Sequence, residues 1–196
     1  MTVKDLILRS RSYRRFDEQK PVTMEQLRDL VDLARLSASA KNMQPLKYVL
    51  SCDSGTNGII FSRLGWAGYL EDWDGPEEGE RPTGYIVMLH DRSVTTHLGC
   101  DHGIAGQSIL LGAAEQGLGG CMIGSVRKKE LHGALRLPEH MDIVLVIALG
   151  VPVEEIVLEE IKPGGDIRYC RDSAGVHHVP KRSLESILAE GERRTE

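Results

Sequence analysis

Two near-continuous apolar runs constrain the fold most strongly: GYIVMLHD at 84–91 and DIVLVIALG at 142–150. Both are rich in valine, isoleucine and leucine and have the length of a strand rather than of a buried helix. Such runs are typical of strands that are buried on both faces. They therefore predict the central strands of a covered sheet, and the alternating segment LKYVLSC at 46–52 predicts a further strand.

Helical patterns surround these strands. Thr2 and Thr23 are N-cap signals for two helices near the start of the chain. The segment IAGQSILLGAAEQG at 104–117 is apolar nearly all round and ends at a glycine, so it predicts a buried helix whose small residues admit another backbone. Ser125 and Ser183 predict the starts of two later helices, VRKKELHGALRL and a last one, and the tail GERRTE is predicted to fray.

The order of these elements indicates a single domain of mixed α and β structure over residues 1–196. Residues 53–83 interrupt the pattern, because they hold both tryptophans and are rich in glycine and acidic residues. Long insertions in compact domains are usually functional when they carry aromatic residues. We therefore expect 53–83 to be a lid or a substrate-pocket insertion.

Composition excludes several classes of partner. The 196 residues carry a net charge of −5, so the protein as a whole should repel nucleic acid and anionic membranes. No apolar run approaches the roughly 18 residues needed to span a bilayer, and no cleavage signal is visible at the N-terminus, which predicts a cytoplasmic protein. The four cysteines form no C-x-x-C pair and are interpreted as reduced thiols.

Common catalytic and nucleotide-binding motifs are missing. The glycines of GLGGCMIG at 117–124 do not fall at G-x-G-x-x-G spacing, and no P-loop or G-x-S-x-G sequence occurs. His97, Asp101 and His102 are close in sequence but match no metal-binding motif, so no metal is predicted.

One basic cluster needs a target. The stretch RSRSYRRF at 9–16 places four arginines in eight positions of an acidic chain, which favours a small anion as its ligand. Lys181 and Arg182 directly precede the predicted helix cap at Ser183, where a second anion site and an exposed charged turn are equally compatible with the sequence.

The basic cluster is also part of a wider pattern. R-S-Y-R-R-F at 11–16, P-V-T-x-E-x-L at 21–27, S-A-K-N-M-Q-P at 39–45 and GLGGCMIG occur in this order over nearly the whole chain. This pattern resembles the FMN-dependent nitroreductase family. The resemblance implies an α+β nitroreductase-like fold, with a central, mainly antiparallel sheet surrounded by helices, in an intertwined homodimer that binds FMN at the subunit interface.

The resemblance also implies roles for individual residues. Arg11 and Ser12 would hold the phosphate and ribityl end of FMN, and Arg14 would lie against the flavin N1–C2 edge, where a guanidinium stabilises the reduced flavin. Ser39, Asn42 and Gln44 match the polar loop that reaches FMN from the partner subunit. The other expected cofactor contacts are the backbone at Ile123 and Gly124, and Lys181 and Arg182.

The implied chemistry is hydride transfer from NADPH or NADH through flavin N5 to a nitroaromatic, a quinone or a similar small-molecule acceptor, by a ping-pong mechanism and without a catalytic side chain. Three alternatives stay open: an FMN-storage or redox-sensing protein, a flavin enzyme with another donor, and an interaction domain without cofactor.

Some positions depart from the family pattern. Ser10, Ala38 and Leu46 stand where the family often has Arg, Pro and Trp. The aromatic residues Trp66, Tyr69 and Trp73 of the insertion are either stacking residues for an aromatic acceptor or part of the core.

Overall fold

The computed structural model describes residues 1–162 and 164–189, so the expected fraying of GERRTE lies outside the described residues. The helices are α1 (Val3–Arg9), α2 (Met24–Leu36), α3 (Ser54–Phe61), α4 (Asp101–Glu115), α5 (Lys128–Ala134) and α6 (Leu184–Ile187). The strands are β1 (Leu46–Ser51), β2 (Gly84–Asp91), β3 (Gly119–Ile123), β4 (Met141–Gly150), β5 (Ile156–Ile161), β6 (Cys170–Arg171) and β7 (His177–Arg182).

Four strands form the central sheet in the order β1-β2-β4-β3, and every neighbouring pair is antiparallel. The two apolar runs occupy its middle, and all eight residues of β2 are buried. The prediction of a mainly antiparallel sheet with these two central strands is therefore confirmed.

Alternate side chains of the central strands build two cores, one on each face of the sheet. On one face Ile86, Met88 and Ile147 pack with α2 and α4. On the other face Val87 and Val146 belong to a core that includes residues of α3 and α5. Burial on both faces explains why these strands are continuously apolar rather than alternating.

Of the four helix caps predicted from the sequence, three agree with the structure and one does not. Thr2 and Thr23 close capping boxes with Asp5 and Gln26, and Ser183 caps α6. The helix predicted from Ser125 begins only at Lys128. The reason is that Val126 forms a β-bridge to Leu64, which holds the backbone extended there.

The small residues of α4 have partners within the same chain. A side chain at Gly112 would meet the leucines of α2, with Leu33 Cδ1 at 2.3 Å from the added carbon, and one at Gly106 would meet Met122 Sδ at 2.5 Å. These glycines therefore make room for side chains. The sequence had suggested that they make room for the backbone of another element. Their burial does not depend on a second subunit.

The C-terminal part adds a small second sheet in the order β5-β7-β6, in which β5 and β7 are parallel. Residues 54–61 of the predicted insertion form α3, whose Ile60 is fully buried in the core. Residues 65–83 contain neither helix nor strand. Within the described residues, no helix has both the length and the apolar character needed to cross a membrane.

Candidate functional site

A cavity of about 250 Å³ lies where the basic N-terminal stretch meets β3, α4 and β7. It is lined by Ser10, Arg11, Ser12, Arg14, Gln107, Leu110, Met122, Tyr169, His177, Val179 and Lys181. We call it the arginine cavity. Ser12 forms a β-bridge to Gly120, and the Tyr13 N–H donates to the Gly120 carbonyl at 3.1 Å. These bonds fix the basic stretch along β3, beside the cavity that Ser10, Arg11, Ser12 and Arg14 line.

The arginines of the basic stretch divide into two kinds. Arg15 points away and donates to both carboxylate oxygens of Glu80 at 2.6 and 2.5 Å. Arg11, Arg14 and Lys181 line the cavity and form no ion pair with any carboxylate that the structure describes. Burial lowers the pKa of Arg11, and its Nε is buried without a hydrogen-bond partner among the described residues. An uncompensated set of cations in a cavity is suited to an anionic ligand.

Glu154 anchors the backbone beside the cavity. Its side chain is 1% exposed; Oε1 accepts the N–H groups of Arg14 and, at 3.3 Å, Arg15, and Oε2 accepts from Arg171 at 3.1 Å. A buried carboxylate is stable only when it is paired and hydrogen-bonded. Glu154 therefore ties the basic stretch to the C-terminal segment that completes the cavity.

His177 and Tyr169 hold the Arg14 side chain. The guanidinium lies over the Tyr169 ring at 5.0 Å and approaches His177 Nε2 at 3.5 Å. Burial, together with the charges of Arg14 and Arg171, lowers the pKa of His177 to about 4. The histidine is therefore neutral near pH 7 and adds no charge to the cavity.

A second cavity of about 220 Å³ lies at the start of α4, and we call it the loop cavity. It is lined by Ser39 and Gln44 of the polar loop, by Tyr48 of β1 and by Asp101 and Ala105 of α4, among others. It shares no lining residue with the arginine cavity. The polar-loop residues are thus separated from the arginines within one chain.

These features coincide with a known family pattern. A model of the nitroreductase family matches residues 7–56 and 91–151, which together make up more than half of the chain. The chain belongs to the nitroreductase family. The basic stretch, the polar loop, α4 and the central strand β4 all fall within the matched parts, whereas most of the 53–83 segment falls between them.

Solved structures share the fold at low sequence identity. A nitroreductase family protein from Streptococcus pneumoniae TIGR4 is 15% identical, with a TM-score of 0.69 over 97% of this chain and 100% of that one. A nitroreductase family protein from Clostridium novyi NT is 21% identical, with a TM-score of 0.64 over 78% and 87%. An FMN-dependent nitroreductase from Clostridium difficile R20291 is also 21% identical, with a TM-score of 0.61 over 76% and 87%.

Four of the residues predicted to contact the cofactor lie together in the structure. Arg11, Ser12, Arg14 and Lys181 meet in the arginine cavity. Arg182 follows Lys181 on β7, so its side chain leaves from the opposite face of the strand and does not line the cavity.

The remaining predicted contacts lie elsewhere. The Ile123 side chain is buried in the core, so only its backbone can meet a ligand. Gly124 follows directly after β3, and Asn42 lies in the polar loop with Ser39 and Gln44. Contact of all these residues with a cofactor stays a prediction.

The aromatic residues of the nitroreductase insertion pack mainly on one another and on the C-terminal segment. Trp66 lies 5.8 Å from Phe61 and 6.4 Å from Trp73, between ring centroids, and joins the core. Tyr69 is half exposed and packs against Tyr169 in a tilted arrangement, with 5.0 Å between the ring centroids. None of the predicted substrate-pocket residues lines the arginine cavity, but Tyr69 reaches its wall through Tyr169.

Three residues of the site were missed by the sequence reasoning: Glu154, Tyr169 and His177. Each lies outside the family motifs and outside the matched segments. A buried glutamate next to an arginine-rich stretch has no periodic signature, and only the docking of the C-terminal segment reveals the contact. The one available signal was the histidine pair at 177–178.

Proposed function

We propose that this nitroreductase is an FMN-dependent oxidoreductase that passes hydride equivalents from NADPH or NADH to a nitroaromatic, a quinone or a similar acceptor in a ping-pong reaction. The observation that carries the proposal is the arginine cavity, in which three cations have no carboxylate partner among the described residues. A phosphate-bearing ligand would complete their pairing.

The residues present fit FMN. Arg11 and Lys181 are suited to a phosphate group, and the buried Arg11 Nε, which has no hydrogen-bond partner in the described part of the chain, needs an acceptor. When bound, FMN would supply the hydride-transferring N5 centre and so the redox chemistry that side chains lack. Ser12 offers a hydroxyl to the same ligand.

Arg14 would act on the electronics of the cofactor. The stacking contact with Tyr169 and the neighbouring His177 restrict its guanidinium to the cavity. A fixed positive charge beside the N1–C2 edge would favour the reduced form and raise the reduction potential. The neutral state of His177 supports this role, because a second fixed cation beside Arg14 would repel its guanidinium.

A homodimer would bring the two cavities together. In the proposal, the Ser39, Asn42 and Gln44 loop of one subunit reaches the arginine cavity of its partner, which is consistent with the separation of the two cavities in a single chain. Two sites per dimer would follow from the symmetry of such an exchange. The partial exposure of Ile104 on α4 and of Ile7 and Leu8 on α1 supports an apolar contact surface.

The segment 53–83 would serve as lid or acceptor-pocket wall. Its Tyr69 contacts Tyr169, and Trp73 lies under the Arg171 guanidinium at 4.7 Å. Through these contacts, an acceptor bound against this segment would affect the wall of the arginine cavity. A cytoplasmic location would match a soluble nicotinamide donor.

The visible absorption spectrum of the purified protein tests the proposal. We expect a flavin band, or its appearance after FMN is added, and bleaching of the band when NADPH or NADH is added without oxygen. Re-oxidation by a quinone should follow. The Arg11→Ala variant should lose the band, and the Arg182→Ala variant, whose side chain leaves from the other face of β7, should retain it.

Two other results would redirect the assignment. A flavin band that neither nicotinamide bleaches would favour an FMN-storing or redox-sensing protein, or an enzyme with a different donor. A protein that binds no FMN at micromolar concentration would refute the proposed cofactor.

A further inference from the structure

A buried carboxylate holds the polar loop in place. Asp101, the first residue of α4, is 4% exposed and faces the loop of residues 39–44. One of its oxygens accepts the Ser39 hydroxyl at 2.6 Å, and the other accepts the Ala40 N–H at 3.0 Å. Because a buried carboxylate requires such donors, the loop and the start of α4 stabilise each other.

The loop has an unfavourable backbone that needs this support. Lys41, Asn42 and Gln44 have φ of 51°, 55° and 52°, in the left-handed region that side chains disfavour. Such conformations persist where surrounding contacts determine them, and they concentrate at ligand sites. The contacts here include Asp101 and several bonds within the loop, in one of which the Gln44 N–H donates to the Ser39 hydroxyl oxygen at 2.9 Å.

These bonds determine what Ser39 can offer a ligand. A serine hydroxyl has one hydrogen to donate and two lone pairs to accept with. Its hydrogen is directed to Asp101, and one lone pair is taken by the Gln44 N–H. One lone pair is left, so Ser39 can meet a ligand as a hydrogen-bond acceptor and not as a donor.

We propose that Asp101 is a positioning residue of the flavin site, which fixes the 39–44 loop and makes the Ser39 hydroxyl an acceptor toward the ligand. The inference rests on the proposed function, in which this loop contacts FMN. A phosphate monoester is largely a dianion at pH 7 and above, because its second pKa is about 6, and it then has no proton to donate. The group that faces Ser39 is therefore a donor, a ribityl hydroxyl or a ring N–H, and not the phosphate.

The chain contains a matched control for Asp101. Asp91, at the end of β2, is 6% exposed and likewise accepts a backbone N–H and a serine hydroxyl, both from Ser93, the N–H at 2.9 Å. Its side chain bonds to no residue of the 39–44 loop. Asp101→Asn and Asp91→Asn thus make the same chemical change at two buried carboxylates, of which Asp91 also lies 4.0 Å from His140.

The experiment compares the affinities of the flavin-free full-length protein for FMN and for riboflavin, which lacks the phosphate, by fluorescence titration. We expect Asp101→Asn to weaken both affinities by the same factor, about tenfold, since an amide group replaces one accepting oxygen and disturbs the Ser39 bond. Asp91→Asn should leave both affinities within roughly twofold of wild type, because measured hydrogen-bond effects are local.

Ser39→Ala is the second variant, and it keeps the test valid if Asp101→Asn folds poorly. It should weaken FMN and riboflavin equally, and adding Asp101→Asn to it should weaken binding by less than the product of the two single effects. A loss confined to FMN, or unchanged affinity for both flavins, would overturn the inference. A wild-type protein that binds neither flavin would instead refute the proposed function, and with it the inference.

Discussion

Replacing the buried Glu154 by glutamine should destabilise the protein strongly. Glu154 is 1% exposed and its partner Arg171 is 16% exposed, so both charges lie out of water. The glutamine keeps its one oxygen for the N–H groups of Arg14 and Arg15 and therefore turns an NH₂ group toward Arg171. The guanidinium of Arg171 is then left buried without a counter-charge.

Breaking one side of a buried ion pair costs about 3–5 kcal/mol. Because the glutamine retains part of the hydrogen bonding, we place the loss in the free energy of unfolding at about 3 kcal/mol, the lower end of that range. For a chain of this length, this corresponds to a fall in Tm of roughly 6–12 °C.

Glu80→Gln is the matched control. It removes the partner of Arg15, but the side chains of that pair are 29% and 33% exposed and share their surroundings with water. Exposed pairs contribute about 0.2–1 kcal/mol. Both variants change the charge of the protein equally, so the difference between them isolates the effect of burial.

The assay is urea denaturation of both single variants and of Glu154→Gln combined with Arg171→Gln. Removing the unpaired cation should recover part of the loss, with a coupling energy of about 1–3 kcal/mol. If Glu154→Gln and Glu80→Gln destabilise the protein equally, Glu154 does not anchor the site as described.

Three further outcomes are expected. Lys181→Ala should weaken FMN binding about tenfold and riboflavin binding little, because a charged hydrogen bond to phosphate is lost. Arg182→Ala should weaken the binding of neither flavin. If titrations show equal effects for the two variants, the assignment of the cavity to one face of β7 is contradicted. Arg14→Ala should lower the flavin reduction potential and weaken flavin retention, and spectroelectrochemistry showing an unchanged potential with unchanged retention would remove its proposed role. Because burial lowers the pKa of His177 from 6.5 to about 4, the unfolded chain binds a proton there that the folded chain does not, and stability should fall as the pH drops through this window. The stability difference between wild type and His177→Gln, measured by denaturation at each pH, should therefore shift by about 2–3 kcal/mol. A difference that stays constant with pH would refute the neutral buried histidine.

Sequence reasoning reached the parts of this fold that are encoded locally. The two apolar runs predicted β2 and β4 closely, because a strand buried on both faces has no polar positions. The Thr2 and Thr23 caps were equally visible, since a capping box involves residues only three apart. The start of α5 was missed because a bridge to Leu64, about 60 residues earlier, overrides the cap signal at Ser125.

The arginine cavity likewise depends on contacts between residues that are distant in the sequence, which local sequence patterns do not reveal. Four arginines in eight positions suggested an anion, but the sequence does not say which of them are free to bind one. Arg15 is excluded by Glu80 and the Arg14 backbone is held by Glu154, and both acids lie more than 60 residues away. Ion pairing over such separations depends on the fold, so charge clusters alone identify a candidate region rather than its ligands.

The distribution of charge also bears on why the site is built from such distant segments. A cavity with three cations that pair with no described carboxylate is unfavourable in isolation, because like charges repel and each cation loses part of its hydration. In this chain Glu154 stabilises the site by accepting the backbone N–H groups of Arg14 and Arg15. Its carboxylate does not form an ion pair with the guanidinium of Arg14, so that positive charge is not neutralised. His177 fills the adjoining space as a neutral group for the same reason. The C-terminal segment therefore stabilises the cationic site while leaving its charge available, and substitutions there should change ligand affinity even though they lie outside the residues that match the nitroreductase family model.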